Sequence, residues 1–156
     1  MQKVKLFEQF LFEIGDRSVQ PYQYNINGKI AEMGELGSEM YVEFTTDSKL
    51  EYELKLANIN MSLEVDFFVA NLKDNYAETN RGEMFKIMAT IAEVIEQTLT
   101  ANPEIRGLRY EPKAKGGDNG KDRDRLYRLF INKAAKTMGK KVKFMQQGGT
   151  VFAILK

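Results

Sequence analysis

The sequence contains neither cysteine nor histidine. Without cysteine the chain forms no disulfide and has no thiolate nucleophile, and without both residue types it can build no Cys/His zinc site and use no histidine base. Catalysis would therefore have to use carboxylates, tyrosine, lysine, serine, threonine or backbone groups. A metal ion would need a cage of carboxylate or carbonyl oxygens. The sequence shows no spaced cluster of such residues, so we predict no metal site.

Long hydrophobic runs are also missing. The longest uncharged apolar runs, residues 67–70 and 151–155, are far shorter than a membrane span. The N-terminal stretch MQKVKLFEQFLFEIGD includes Glu8 and Glu13 and has no small-residue cleavage site, which is not the pattern of a secretion signal. With 156 residues, 43% hydrophobic and 29% charged, the sequence predicts one globular intracellular domain over residues 1–156, without a membrane partner.

The net charge of +1 conceals an uneven distribution. Residues 104–156 hold 14 lysines and arginines against 5 acidic residues, a net +9, and residues 1–103 hold 9 against 17, a net −8. Such a division indicates a surface for an anionic partner, such as nucleic acid, a nucleotide cofactor or an acidic protein. Alternatively, the two portions pair with each other across the fold.

The clearest helical pattern covers residues 79–103, TNRGEMFKIMATIAEVIEQTLTANP. Its apolar residues recur every three or four positions and cover more than half of the helical surface, so neighbours must bury nearly every side. Asn80 and Glu83 have the spacing of an N-cap with its reciprocal carboxylate, and Asn102-Pro103 is a stop signal. The turn Asn80-Arg81-Gly82 joins free backbone N–H groups to a guanidinium, which fits either an anion site or an ordinary helix start.

Before this helix the pattern is mostly that of strands. Residues 4–14 have the spacing of a short amphipathic helix, and a strand through Val4, Leu6 and Phe12 is the alternative. From residue 22 to residue 70 the apolar period is two, which predicts strands. These strands cover residues 22–26, 40–45, 51–56 and 61–69, with a loop over residues 29–39. Short turns between them favour antiparallel pairing, because parallel neighbours need long crossovers.

After the helix, a strand over residues 105–110 is reached by a helical crossover, which predicts that it runs parallel to the strand ending near Val69. Next come an exposed loop over residues 113–121, a second helix over residues 122–138 with Gly139 as its C′ residue, and a hairpin of residues 141–146 and 150–155. The predicted fold class is α+β, with a mixed, mostly antiparallel sheet and helices on its faces.

The order α-ββββ-α-β-α-ββ resembles the GNAT-type N-acyltransferase fold over residues 22–156. In that family, the turn before the long helix binds the pyrophosphate of acyl-coenzyme A, and a tyrosine on the following helix protonates the departing thiolate. The resemblance implies acetyl-CoA or another acyl-CoA as cofactor, Tyr127 of Arg125-Leu126-Tyr127-Arg128 as the catalytic tyrosine, and a cofactor turn formed by Asn80, Arg81, Gly82 and Glu83.

This turn departs from the family pattern. Met84 and Lys86 occupy two positions that the family fills with Gly and with Gly or Ala. Glycine is what allows the backbone to approach a phosphate closely. The departure favours a degenerate, non-catalytic relative of the acyltransferases.

An acyl transfer also needs a base, because the attacking amine must lose a proton. Without histidine the base would be a carboxylate, and Glu64 and Asp66 are the candidates because they share the polar face of the strand that leads to the expected cleft. The alternatives are that both carboxylates simply face solvent and that Tyr127 is a packed aromatic of a helix stripe.

The basic residues around the second helix form another candidate site. They could hold phosphates of coenzyme A or of nucleic acid, with Tyr110, Tyr127 and Phe144 available for base stacking. The alternative is the solvated side of a helix. The group comprises Lys113, Lys115, Lys121, Arg123, Arg125, Arg128, Lys133 and Lys136.

The segments FKIMATIAEVI and RLYRLFINKAAKTMG are similar to those of small GNAT-like proteins of tailed bacteriophages. This resemblance implies a viral accessory or virion-associated interaction protein, located in the host cytoplasm or on the virion, with a phage or host protein as partner. The first alternative is an acyl-CoA dependent N-acyltransferase that acts on a protein or a small amine. The second is a nucleic-acid-binding module that uses the basic C-terminal third.

Overall fold

The computed structural model describes residues 19–69, 81–112 and 121–156. The predicted N-terminal helix, Asn80 and most of the predicted loop at 113–121 lie outside these residues. The described residues form seven strands and two α-helices, with a 3₁₀-helix at Ile30–Glu32. The strands are β1 (Asn25–Asn27), β2 (Glu39–Thr45), β3 (Glu51–Ile59), β4 (Ser62–Val69), β5 (Gly107–Tyr110), β6 (Val142–Gln147) and β7 (Thr150–Leu155), and the helices are α1 (Arg81–Ala101) and α2 (Lys121–Thr137).

The strands form a single sheet in the order β1-β2-β3-β4-β5-β7-β6. Neighbouring strands are antiparallel except β4 and β5, which run parallel. The prediction of an α+β fold with a mixed, mostly antiparallel sheet is confirmed, as are the antiparallel meander and the parallel crossover through the long helix. The closing hairpin inserts β7 beside β5 and leaves β6 at the edge.

Alternation along the strands divides the sheet into two faces. On one face the side chains are apolar and mostly buried, for example Val42, Leu54, Val65 and Leu108. Both described helices pack on this face, which we call the helix-covered face. Aromatic residues of α2 contact Phe67 there, and the apolar residues of α1 belong to the same core. The opposite, polar face carries the alternate residues of each strand.

Helix α1 is buried along most of its described length, as its sequence predicts, and its C-terminal turns have exposed residues. Its end is fixed by Asn102, which is 1% exposed. The side-chain amide of Asn102 donates to the carbonyl oxygens of Thr98 and Ile30, at 2.8 and 2.7 Å, and its oxygen accepts from the N–H of Gly34. Asn102, which the sequence marks as the end of the helix, therefore also fixes the loop between β1 and β2 to the helix.

Helix α2 ends in a Schellman motif. Gly139 has a φ of 68°, the N–H of Gly139 donates to the carbonyl of Lys136, and the N–H of Lys140 donates to the carbonyl of Ala135. These two bonds satisfy carbonyl groups that the helix leaves free at its end. The predicted C′ position of Gly139 is confirmed.

Among the described residues, no helix combines the length and the apolar composition that a membrane crossing requires. The described residues also contain no group of three or more acidic side chains arranged to hold a metal ion.

Candidate functional site

The parallel pair of β4 and β5 is joined over only a short length. The ladder pairs Ser62 with Gly107, Leu63 with Leu108 and Glu64 with Arg109. Strand β4 then continues to Val69, whereas β5 ends at Tyr110. The two strands therefore part just beyond Glu64, and we call this place the β4–β5 junction.

Tyr127 of α2 lies over the β4–β5 junction and is 0% exposed. Its ring stacks on Tyr110 of β5, with centroids 4.4 Å apart and planes 9° apart. The same ring meets Phe67 of β4 edge-on at 5.3 Å and Phe130 of its own helix at 5.2 Å. Since these contacts reach both strands beyond the end of the ladder, Tyr127 closes the junction from the helix-covered face.

Polar contacts fix the helix above the junction. The hydroxyl of Tyr110 donates to Asp124 Oδ1 at 2.6 Å, and Arg128 Nε donates to Asp124 Oδ2 at 2.9 Å. The Arg128 guanidinium also lies 4.4 Å from the ring centroid of Phe144 on β6. Burial first, and then the hydrogen bond and negative charge of Asp124, raise the pKa of Tyr110 far above its usual range. The phenol therefore stays protonated and holds α2 to β5.

Sequence reasoning identified Tyr127 but missed Tyr110 and Asp124 as its companions. A local signal was present, because Asp124 and Arg128 have the i, i+4 spacing of an ion pair on a helix. The contact between Tyr110 and Asp124 has no comparable signal, since it links a strand to the helix that follows a loop.

The predicted bases lie on the other face of the sheet. Glu64 and Asp66 alternate along β4 with the buried Leu63 and Val65, and therefore point to the polar face. A Glu64 carboxylate oxygen lies 3.7 Å from Arg109 Nε, and Asp66 is exposed opposite Lys55. The structure does not bring either carboxylate to the face that carries the Tyr127 ring.

The predicted cofactor turn is only partly described. Arg81 and Gly82 begin α1, and Glu83 is 5% exposed. One Glu83 oxygen accepts the backbone N–H of Ser48 at 2.5 Å, and the other accepts the Ser48 hydroxyl at 2.8 Å. Glu83 therefore fastens the start of α1 to the turn between β2 and β3. A buried carboxylate at this place would repel a phosphate.

Of the predicted basic group, Lys113 and Lys115 lie outside the described residues, and the described members Arg128 and Lys133 lie in different surroundings. Arg128 is bound to Asp124 and lies over Phe144, whereas Lys133 lines a cleft of about 270 Å³ together with Glu93 and Glu96 of α1. A second cleft, of about 490 Å³, lies at the sheet edge between β1, β2 and β3 and is lined by Glu43, Glu51 and Glu53 among others. Neither of these two clefts is lined by Tyr127, Glu64 or Asp66.

No protein-family model, curated protein or solved structure matches this chain. The described residues therefore define the class of the fold, which is α+β with a mixed seven-stranded sheet. They also define a packed aromatic junction between the two parallel strands.

Proposed function

We propose that this protein is a non-catalytic interaction protein with a degenerate GNAT-like fold, which serves a bacteriophage as an accessory or virion-associated component. The burial of Tyr127 at the β4–β5 junction carries this proposal. A general acid must reach the leaving group of its substrate. The Tyr127 ring is instead enclosed by rings from both strands and from its own helix.

Two further observations support the absence of catalysis. Glu64 and Asp66 point to the polar face, whereas Tyr127 lies on the helix-covered face, so a base and an acid do not converge on one reaction centre. Glu83, which would belong to the pyrophosphate turn, is buried and its carboxylate is bound to Ser48.

The alternative function is an acyl-CoA dependent N-acyltransferase acting on a protein or a small amine. One observation favours it: the parallel β4–β5 pair ends after three residue pairs, while β4 runs on to Val69, the last described residue before the long helix. In this alternative, Asn80, Arg81, Gly82 and Glu83 would hold the pyrophosphate, and Tyr127 would protonate the thiolate.

Acyl transfer is tested by mass spectrometry. The purified protein is incubated with acetyl-CoA and a bacterial lysate supplemented with small amines, beside a Tyr127→Phe control. We expect no acylated product above the level of a sample without the protein. An acylated target that disappears with Tyr127→Phe would overturn the proposal and establish the transferase.

The phage setting is supported by the resemblance of the segments FKIMATIAEVI and RLYRLFINKAAKTMG to those of phage proteins, and the protein partner is a phage or host component. Crosslinking of a tagged protein in phage-infected cells, followed by mass spectrometry, tests this part. We expect one phage or host protein crosslinked in stoichiometric amount. Recovery of the tagged chain without any such protein would contradict an interaction role.

A further inference from the structure

Six cations gather at one corner of the molecule, where β5 and β6 begin and α2 and β7 end. All six are exposed. Backbone bonds bring them together, because Lys141 and Lys156 exchange N–H···O bonds and the N–H of Leu155 donates to the carbonyl of Arg106. We call this group the basic corner; it comprises Arg106, Lys136, Lys140, Lys141, Lys143 and Lys156.

Within the described residues, no Asp or Glu side chain compensates the charge of the basic corner. In the part of the chain that the structure describes, none lies within ion-pair distance of these six side chains. Lys141 and Lys156 also face each other just beyond the paired ends of β6 and β7, and like charges placed directly opposite each other are destabilising. A bound polyanion would remove this repulsion.

General structural roles explain only some of these cations. Lysines on an edge strand such as β6 protect it against pairing with other chains, which accounts for Lys141 and Lys143. Lys136 complements the dipole at the end of α2. Neither role accounts for Arg106, which precedes the inner strand β5, or for Lys156, which follows the inner strand β7.

On the polar face, Lys141, Lys143 and Lys156 of the basic corner adjoin an apolar strip. Met145 is 43% exposed, Phe152 is its partner on β7, and Arg109 is the partner of Phe152 on β5. The Arg109 guanidinium lies 5.2 Å from the Phe152 ring centroid. Ile154 lies beside Lys143 in the next row. Rings and guanidinium planes next to cations are the surfaces on which unpaired bases stack.

The charge of the neighbouring strands favours one nucleic-acid strand over two. Beyond β5 the polar face becomes acidic, with Glu64 and Asp66 on β4 and Glu51 and Glu53 on β3. The second strand of a duplex would place its phosphates over these carboxylates.

We propose that the basic corner and the adjoining strip of β5, β7 and β6 bind single-stranded nucleic acid, with the corner cations on the phosphates and Phe152 and Arg109 beneath the bases. The site lies away from Tyr127 and does not depend on whether the protein transfers acyl groups.

The test is fluorescence anisotropy with a labelled single-stranded oligonucleotide of about 16 nucleotides, measured at several salt concentrations beside a duplex of the same sequence. The variant is Arg106→Gln/Lys141→Gln/Lys143→Gln. We expect wild type to prefer the single strand. The variant should lose at least about tenfold in affinity and lower the salt slope by about 2, because three phosphate contacts are removed.

A matched control removes three positive charges elsewhere, with Lys29→Gln/Lys49→Gln/Lys55→Gln. We expect this control to bind within about twofold of wild type, because exposed charges away from the proposed site contribute little to the binding free energy. Equal losses in the two triple variants would overturn the proposed site, and so would a preference for the duplex or no binding by wild type at low salt. Circular dichroism establishes that both variants are folded.

A single substitution separates base stacking from simple attraction between charges. Phe152→Leu should weaken oligonucleotide binding by about fivefold or more, since stacking on an aromatic ring is lost, and should leave heparin binding unchanged. Equal effects on both ligands would reduce the corner to a general polyanion surface and overturn the nucleic-acid proposal. Failure of this test leaves the result of the acyl-transfer assay unaffected, so the two proposals fail separately.

Discussion

At the scale of single residues, Tyr127 is held by aromatic rings from three elements. Phe67 belongs to β4, Tyr110 to β5 and Phe130 to α2. A ring in such surroundings contributes through its buried area and through edge and stacking contacts with its neighbours. Tyr127 therefore has a packing role, in which it joins α2 to the two parallel strands.

Truncation of this side chain tests the packing role. We expect Tyr127→Ala to lower the free energy of unfolding by about 3 to 5 kcal/mol, because it leaves a cavity between the two strands. Tyr127→Phe keeps every ring contact and should cost no more than about 1.5 kcal/mol. Urea denaturation measures both values. Similar small losses in the two variants would show that the ring is not part of the packed junction.

Tyr22 gives a prediction for pH. Burial is the main cause that raises the pKa of Tyr22 to about 12, and the charges of Asp47 and Glu83 add to it. In the unfolded chain the phenol titrates near its ordinary value of 10.0. Between these two pH values the unfolded state releases a proton that the folded state keeps, so the free energy of unfolding falls as pH rises.

Removal of the Tyr22 hydroxyl should reduce this fall in the free energy of unfolding at alkaline pH. We expect Tyr22→Phe to reduce the slope of unfolding free energy against pH by up to about 1.4 kcal/mol per pH unit. The ring of the variant keeps its place against Phe44, so stability at neutral pH serves as the control. Parallel slopes for wild type and variant above pH 10 would contradict the raised pKa.

At the scale of elements, local signals predicted most of what the structure shows. Periodicity identified the strands and both described helices, and Asn102 and Gly139 marked the helix ends, because each of these signals acts within a few residues. Two boundaries were wrong. Strand β1 covers Asn25–Asn27 instead of residues 22–26, and β3 continues to Ile59, so that the turn is at Asn60 and Met61, which both have positive φ.

Contacts between residues that are distant in the sequence could not be predicted from local patterns. The bond between Glu83 and Ser48 joins residues 35 positions apart, so the carboxylate that resembled part of a capping box also fastens a distant turn. The insertion of β7 between β5 and β6 depends likewise on pairing across the sheet. Tyr127 could be singled out from its helix, but its stacking on Tyr110 could not.

Gly107 tests the pairing of β5 with β7. A Cβ at this position would overlap the backbone carbonyl oxygen of Ala153, which cannot move without disturbing the strand. We expect Gly107→Ala to lower the free energy of unfolding by about 1 to 3 kcal/mol, the usual range for overpacking. Gly149→Ala is the control, because a Cβ there meets open space. Equal stabilities of the two variants by thermal or urea unfolding would contradict the described register.

At the scale of the whole molecule, the sheet is divided by charge. Carboxylates dominate the polar face of β2 to β4, and the six cations of the basic corner lie at the far corner beyond β5. The ion pair between Glu64 and Arg109 joins the acidic and basic portions at the β4–β5 ladder. The division of charge seen in the sequence thus appears in the structure as two separate surfaces.

The central claim is that Tyr127 closes the β4–β5 junction and that no acyl-coenzyme A site is formed there. Isothermal titration of wild-type protein with acetyl-CoA and with free coenzyme A, up to millimolar ligand, tests it most directly. We expect no saturable heat with either ligand. A saturable isotherm with one ligand per chain, weakened by a substitution at Arg81, would contradict the claim.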